Sequence, residues 1–67
     1  MRYKNETIYT YRIDFATTNN DDWGFELIDA HNTDEAIKIF RSWYPINEYN
    51  ITDVYRKIAG NWSANGR

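Results

Sequence analysis

The segment from Trp23 to Pro45, WGFELIDAHNTDEAIKIFRSWYP, constrains the fold most, because a strand-like alternation passes directly into a capped helix. In the first half, apolar side chains recur at every second residue, as in a half-buried strand. In the second half, Asn32 can accept a hydrogen bond from an early helix amide, and Glu35 can reach back to the Asn32 amide as a capping box. Pro45 cannot continue a helix, so the helix is predicted to end at Tyr44 after about three turns.

The predicted helix has one apolar and one polar side. At about 100° per residue, six apolar side chains share an arc and five polar side chains lie opposite. One side is therefore expected to face the core and the other to face water. The apolar set is Ala36, Ile37, Ile39, Phe40, Trp43 and Tyr44, and the polar set is Asp34, Glu35, Lys38, Arg41 and Ser42.

Residues 7–15 alternate like a strand, with Tyr9, Tyr11 and Phe15 on one side. The polar run at 17–22 is typical of a turn, and a second strand begins at Trp23. This order predicts an antiparallel hairpin whose aromatic side faces the helix. The outward side is predicted to carry Arg12, Asp14, Glu26, Tyr55 and Lys57, which places Trp23, Phe25 and Leu27 on the helix side.

Residues 51–58 are compatible with a helix or a strand. Ile51, Val54, Tyr55 and Ile58 have helical spacing, but the segment also alternates and is rich in β-branched residues. Strand is favoured because a hairpin with one helix needs a third strand. The fold class is thus predicted as α+β, a three-stranded antiparallel sheet with one helix on one face, in the order ββαβ. Residues 1–67 are expected to form one compact domain, with a flexible tail at 60–67.

Composition limits the classes of function. A chain of 67 residues has a small core, and without cysteine it has no disulfides to support it. Aromatic residues make up 18% of the chain, and some of them can serve a partner. Neither a membrane-spanning run nor a signal peptide is visible, so a cytoplasmic location is expected, in the host cell if a phage encodes the protein.

Catalytic and metal sites have weak support in the sequence. His31 follows Asp29 by two residues, which allows an Asp/His base pair, but no nucleophile stands near it. The carboxylates of Asp21 and Asp22 lack the pattern of a calcium loop, and no phosphate-binding glycine motif occurs. We therefore expect a protein that is not an enzyme, with no cofactor and no metal.

Two kinds of partner are compatible with the aromatic residues. Rings on a small sheet can stack on nucleic-acid bases, but a net charge of −2 disfavours attraction to phosphates. Binding to protein is favoured, since Tyr and Trp dominate protein interfaces. Trp23 and Trp43 are interpreted first as core residues. The predicted partner-binding residues are Asp21, Asp22, Trp23 and Glu26 near the hairpin, with Tyr44, Tyr49 and Trp62 near the helix exit.

The succession of a Tyr-rich strand, IDAHNTDEAIKIF, WYP and ITDVYRKI resembles the compact ββαβ proteins of small phage and prophage reading frames. Several of these proteins are inhibitors of host defence, including anti-CRISPR proteins. The resemblance implies stoichiometric inhibition of a larger host protein or nucleoprotein complex by steric occlusion, and a homodimer through strand edges is compatible with it. The alternative is a small accessory protein that binds nucleic acid.

Overall fold

The computed structural model describes residues 7–64, which form a four-stranded antiparallel sheet with one helix. In chain order the elements are β1 (Tyr9–Thr17), β2 (Trp23–Ala30), α1 (Thr33–Trp43), β3 (Tyr49–Ile58) and β4 (Asn61–Ala64). The strands lie in the order β2-β1-β3-β4, and the helix crosses one face above β1 and β2. The predicted α+β class is confirmed, and the strand assignment of 51–58 is confirmed within β3.

The prediction of only three strands is wrong, because residues that were assigned to a flexible tail form β4. Ala59 and Gly60 both have positive φ, 51° and 83°, which is the geometry of a tight two-residue hairpin turn. That turn brings Trp62 opposite Lys57 in the β3–β4 pair. The last part of the predicted tail, residues 65–67, lies outside the described residues, as do residues 1–6.

The helix begins and ends where the sequence predicts. Asn32 is the N-cap, and its side chain accepts a hydrogen bond of 2.8 Å from the Glu35 amide. The Glu35 carboxylate accepts from the His31 amide at 2.7 Å, one residue before the amide that a capping box would use. Tyr44 leaves helical geometry before Pro45, and its amide closes the last turn on the Phe40 carbonyl.

The core lies between the helix and the first two strands. Phe40 is fully buried, and its ring lies 4.7 Å from the Tyr44 ring and 5.5 Å from the Phe15 ring. Trp43 was predicted to share this side of the helix, but it is 55% exposed because it lies at the last turn. The buried cluster comprises Tyr11, Ile13, Ile28, Ala30, Ala36 and Phe40.

The prediction of which side of β2 faces the helix is wrong. In the pairing with β1, Ile28 lies opposite Tyr11 and Glu26 lies opposite Ile13, and directly opposite residues share a face. Even-numbered β2 residues therefore lie on the helix side. Beside Phe15 the space is narrow, since a Cβ on Gly24 would lie 3.3 Å from the Phe15 ring. Trp23, Phe25 and Leu27 lie on the opposite face.

Candidate interaction surface on the open sheet face

Large exposed apolar side chains are concentrated on the sheet face that the helix does not cover. Trp23, Phe25 and Leu27 of β2 are 73%, 52% and 54% exposed, and Trp62 of β4 is 39% exposed. Tyr55 of β3 lies between them, since it pairs with Arg12 on the same face. We call these five residues, Trp23, Phe25, Leu27, Tyr55 and Trp62, the open-face patch. Clustered rings of this kind on one face are typical of binding surfaces.

Arg12 organises the centre of the open-face patch. Its guanidinium carbon lies 4.3 Å from the centroid of the Phe25 ring and 6.0 Å from that of Tyr55. The same guanidinium pairs with Asp14 at 2.8 Å. A cation held over a ring by a carboxylate has little rotational freedom left. Arg12 therefore lies in contact with Phe25 on one side and near Tyr55 on the other.

Two depressions flank Arg12 on this face. One has a volume of about 400 Å³ and is lined in part by Trp23, Phe25 and Ala16. The other has a volume of about 130 Å³ and lies among Arg12, Tyr55 and Trp62. The larger depression is in the range of small-ligand sites and can also receive a large side chain from a protein partner.

The charge on the open face is slightly negative. Two cations, Arg12 and Lys57, share it with three carboxylates, Asp14, Asp29 and Asp53. Asp14 and Asp53 lie directly opposite each other, which is an unfavourable arrangement for like charges. The Arg12 cation offsets the Asp14 charge, whereas Asp53 is exposed. This distribution fits a cationic partner better than a phosphate backbone.

Of the residues predicted to bind a partner, Trp23 and Trp62 belong to the open-face patch. Trp62 lies beside Lys57, whose amine is 5.8 Å from the centroid of the indole ring. Asp21 and Asp22 shape the turn before Trp23. The Thr17 hydroxyl donates to Asp21 at 2.6 Å, and the Asp22 carboxylate accepts from the Trp23 amide at 2.9 Å.

The other predicted binding residues, Glu26, Tyr44 and Tyr49, lie on the helix side. The Tyr44 hydroxyl donates a hydrogen bond to the Glu26 carboxylate. This bond raises the pKa of Tyr44 above its usual value near 10, and burial and the nearby negative charge raise it further. The Tyr49 ring packs against the rings of Phe15 and Tyr44. These three residues join the helix end to the sheet, on the face away from the open-face patch.

The residues considered for catalysis are paired differently from the sequence hypothesis. His31 Nδ1 lies 2.9 Å from the Glu35 carboxylate, and Asp29 accepts a hydrogen bond of 2.8 Å from the Thr10 hydroxyl. Within residues 7–64, acidic and histidine side chains do not gather in groups of three or more that could hold a metal ion. In the same part of the chain, α1 is too short and too polar to cross a bilayer.

Sequence reasoning missed Phe25 and Leu27 as candidates for binding, whereas Arg12 and Tyr55 were considered only as part of a patch with Arg56 and Lys57 that could touch phosphate. The signal that was available is the pair Leu27-Ile28, where two large apolar residues stand next to each other in one strand. Neighbouring strand residues point to opposite faces, so one of the two had to leave the core. Whether Leu27 or Ile28 is buried depends on the register between β2 and β1. The alternation within β2 does not specify that register.

Comparisons with known proteins give no relative. No family model matches the chain, and neither a curated protein sequence nor a solved structure is significantly similar to it.

Proposed function

We propose that this protein is a non-catalytic binding module that recognises a protein partner through the open-face patch. The observation that carries the proposal is the sidedness of β2. Its largest side chains, Trp23, Phe25 and Leu27, are more than half exposed although the core on the other face is filled by Phe40 and Tyr11. Aromatic side chains have few rotatable bonds and therefore lose little conformational entropy on binding, which favours tight association.

The chemistry of the surface suggests the character of the partner. Aromatic rings and the Arg12 side chain line both depressions, and the carboxylates of Asp29 and Asp53 lie on the same face. A partner surface with a large apolar side chain and nearby Lys or Arg residues would complement both features. The proposed partner is therefore a protein with a basic, apolar contact region.

Capture from a bacterial lysate by a tagged protein, with quantitative mass spectrometry, tests this proposal. Trp23→Ser should weaken retention of a specific partner at least about thirtyfold, which is the effect of losing an interface hot spot. Trp43→Ser is the matched control, because Trp43 is also exposed but lies on the helix. Equal retention by both variants would contradict binding through the open-face patch.

The resemblance to phage inhibitors supplies a narrower proposal, in which the partner belongs to a host defence complex and is blocked by occlusion. Inhibition of this kind is stoichiometric, because the inhibitor is bound and not turned over. Titration of the captured complex should therefore reach full inhibition near one inhibitor per binding site. Complete inhibition by a small fraction of an equivalent would instead indicate catalysis.

A second candidate function is binding of single-stranded nucleic acid. It is favoured by the rings of Trp23, Phe25, Tyr55 and Trp62, which can stack on bases beside Arg12. Tryptophan fluorescence during titration with a short oligonucleotide separates the two candidates. An affinity that falls steeply with salt would support this candidate, since release of counterions drives such binding. A signal that does not change at low salt would reject it.

A further inference from the structure

The outer edge of β2 has the features of a strand that pairs with another strand. Within residues 7–64 the sheet ends at β2 on one side and at β4 on the other. β2 contains eight residues that pair with β1 without a register shift, whereas β4 contains four. A long, regular edge strand offers a row of backbone donors and acceptors to another chain.

Protection of the kind that keeps edge strands apart is missing from β2. The sequence of β2, WGFELIDA, has no proline and no lysine, and its pairing with β1 has no bulge. Its two carboxylates are held by partners within the fold. Glu26 accepts from Tyr44 below the helix, and Asp29 accepts from Thr10 of β1. These neutral hydroxyl donors do not remove the negative charge of either carboxylate, so a second strand has to pair in a register that keeps the two Glu26 side chains apart.

The hydrogen-bond pattern shows which backbone groups point outward. The Thr17 amide donates to the Asp22 carbonyl at 2.9 Å, so Thr17 and Asp22 form a hydrogen-bonded pair at the hairpin end. Such pairs alternate along an antiparallel ladder, which directs the backbone of even-numbered β2 residues towards β1. The amides of Phe25 and Leu27 therefore point outward, while that of Trp23 is bonded to the Asp22 side chain.

We infer that β2 pairs antiparallel with β2 of a second copy of this chain, about a two-fold axis at Phe25. In this register Phe25 faces Phe25 of the second copy, and Trp23 faces its Leu27. All three apolar side chains of the edge then lie beside apolar side chains, on the same face. Below the helix, Gly24 faces Glu26 of the second copy, which leaves room for the Glu26–Tyr44 hydrogen bond.

Other registers that also keep the open faces of both copies on the same side of the sheet give less favourable side-chain pairs. A two-fold axis at Glu26 places two Glu26 carboxylates directly opposite each other and pairs Trp23 with Asp29. An axis at Leu27 pairs Phe25 with Asp29. The axis at Phe25 pairs residues 23–27 of the two copies, because the residues before Trp23 belong to the turn. It joins the two sheets into one of eight strands and brings the two open-face patches together. This inference goes beyond the proposed function, because it needs no other partner.

Sedimentation equilibrium of the purified chain alone, over a concentration series, tests the inference. Wild type should change from monomer to dimer and form no larger species. Leu27→Pro removes an outward amide without removing a bond to β1, and Leu27→Ala is its matched control, because it removes the same side chain and keeps the amide. The dimer of Leu27→Pro should dissociate at least about tenfold more readily than that of Leu27→Ala.

The register is tested by cross-linking, since the chain contains no cysteine. Phe25→Cys should form a disulfide-linked dimer on mild oxidation, because Cα atoms in a hydrogen-bonded pair lie about 5.5 Å apart. Ile46→Cys, at an exposed position outside β2, should not form a disulfide-linked dimer. If Leu27→Pro fails to fold, Phe25→Lys replaces it and should be monomeric at low salt. The inference would be overturned if the wild type stayed monomeric, or if Leu27→Pro and Leu27→Ala had the same dimer dissociation constant. Equal cross-linking of the two cysteine variants would also overturn it.

Discussion

Tyr44 is the residue at which the end of the helix, β2 and the start of β3 meet. Its ring stacks 4.7 Å from Phe40 and lies 5.0 Å from Tyr49, while its hydroxyl donates to Glu26. A tyrosine can hold this position because it combines a large apolar ring with one polar atom. The sequence places Tyr44 before Pro45, and only the fold supplies Glu26 as its partner.

The free energy of unfolding should fall as pH rises above about 10, partly through Tyr44. Because the pKa of Tyr44 is raised in the folded state, the unfolded chain loses this proton first. The contribution is complete below the unfolded pKa near 10 and is lost as pH rises through the folded pKa. Urea unfolding of wild type and Tyr44→Phe across this range measures it, and a difference between the two that stays constant with pH would contradict the prediction.

Phe40 carries a large part of the small core. Phe40→Ala removes a fully buried ring and should lower the free energy of unfolding by about 3–5 kcal/mol, which is comparable to the whole stability of a domain this size. Circular dichroism during heating should show a largely unfolded chain. Lys38→Ala, on the exposed side of the same helix, should melt within a few degrees of wild type. A cooperative melt of Phe40→Ala near the wild-type temperature would mean that the ring is not central.

At the scale of elements, a bulge in β3 explains why its sequence fits two structures. Ile13 pairs with Val54, but Phe15 pairs with Ile51, so β3 has one extra residue between them. Ile51 and Val54 therefore both face the helix although they are three residues apart. Spacing of three is typical of a helix, and here the bulge produces it within a strand.

The turn between β3 and β4 contains a residue with unfavourable backbone geometry. Ala59 has a φ of 51°, where the Cβ atom of alanine is crowded, and Asn followed by Gly is the preferred sequence for such a turn. Ala59→Asn should raise the free energy of unfolding by about 0.5–1 kcal/mol, measured by urea unfolding. Asn20 has a similar φ of 57°, so Asn20→Ala should lower the free energy. The prediction is wrong if the two substitutions change the free energy of unfolding in the same direction.

At the scale of the molecule, the sheet separates a face packed against the helix from an open face. The helix side holds the fold together, whereas the open face carries rings that contribute little to the core. β2 contains both kinds of side chain in alternation, with Ile28 buried and Trp23 exposed. Substitutions in one strand should therefore affect stability and the proposed binding separately.

Two substitutions in β2 should show this separation. Ile28→Ala should lower the free energy of unfolding by about 2–5 kcal/mol, because it leaves a cavity in the core. Trp23→Thr should change it by less than about 0.5 kcal/mol, because Trp23 is 73% exposed and threonine favours strands. Urea unfolding measures both. A larger loss for Trp23→Thr would show that the open face supports the fold.

The sequence alone determined the first three local elements of this protein, β1, β2 and α1, but not β4. Periodicity, the Asn32 cap and Pro45 specify the helix, because caps and breakers act over a few residues. Alternation specifies the hairpin of β1 and β2. What the tertiary structure decided is which side of β2 is buried, because both sides carry apolar residues and only the register with β1 selects Ile28 over Leu27. The open-face patch, and every proposal based on it, follows from that selection.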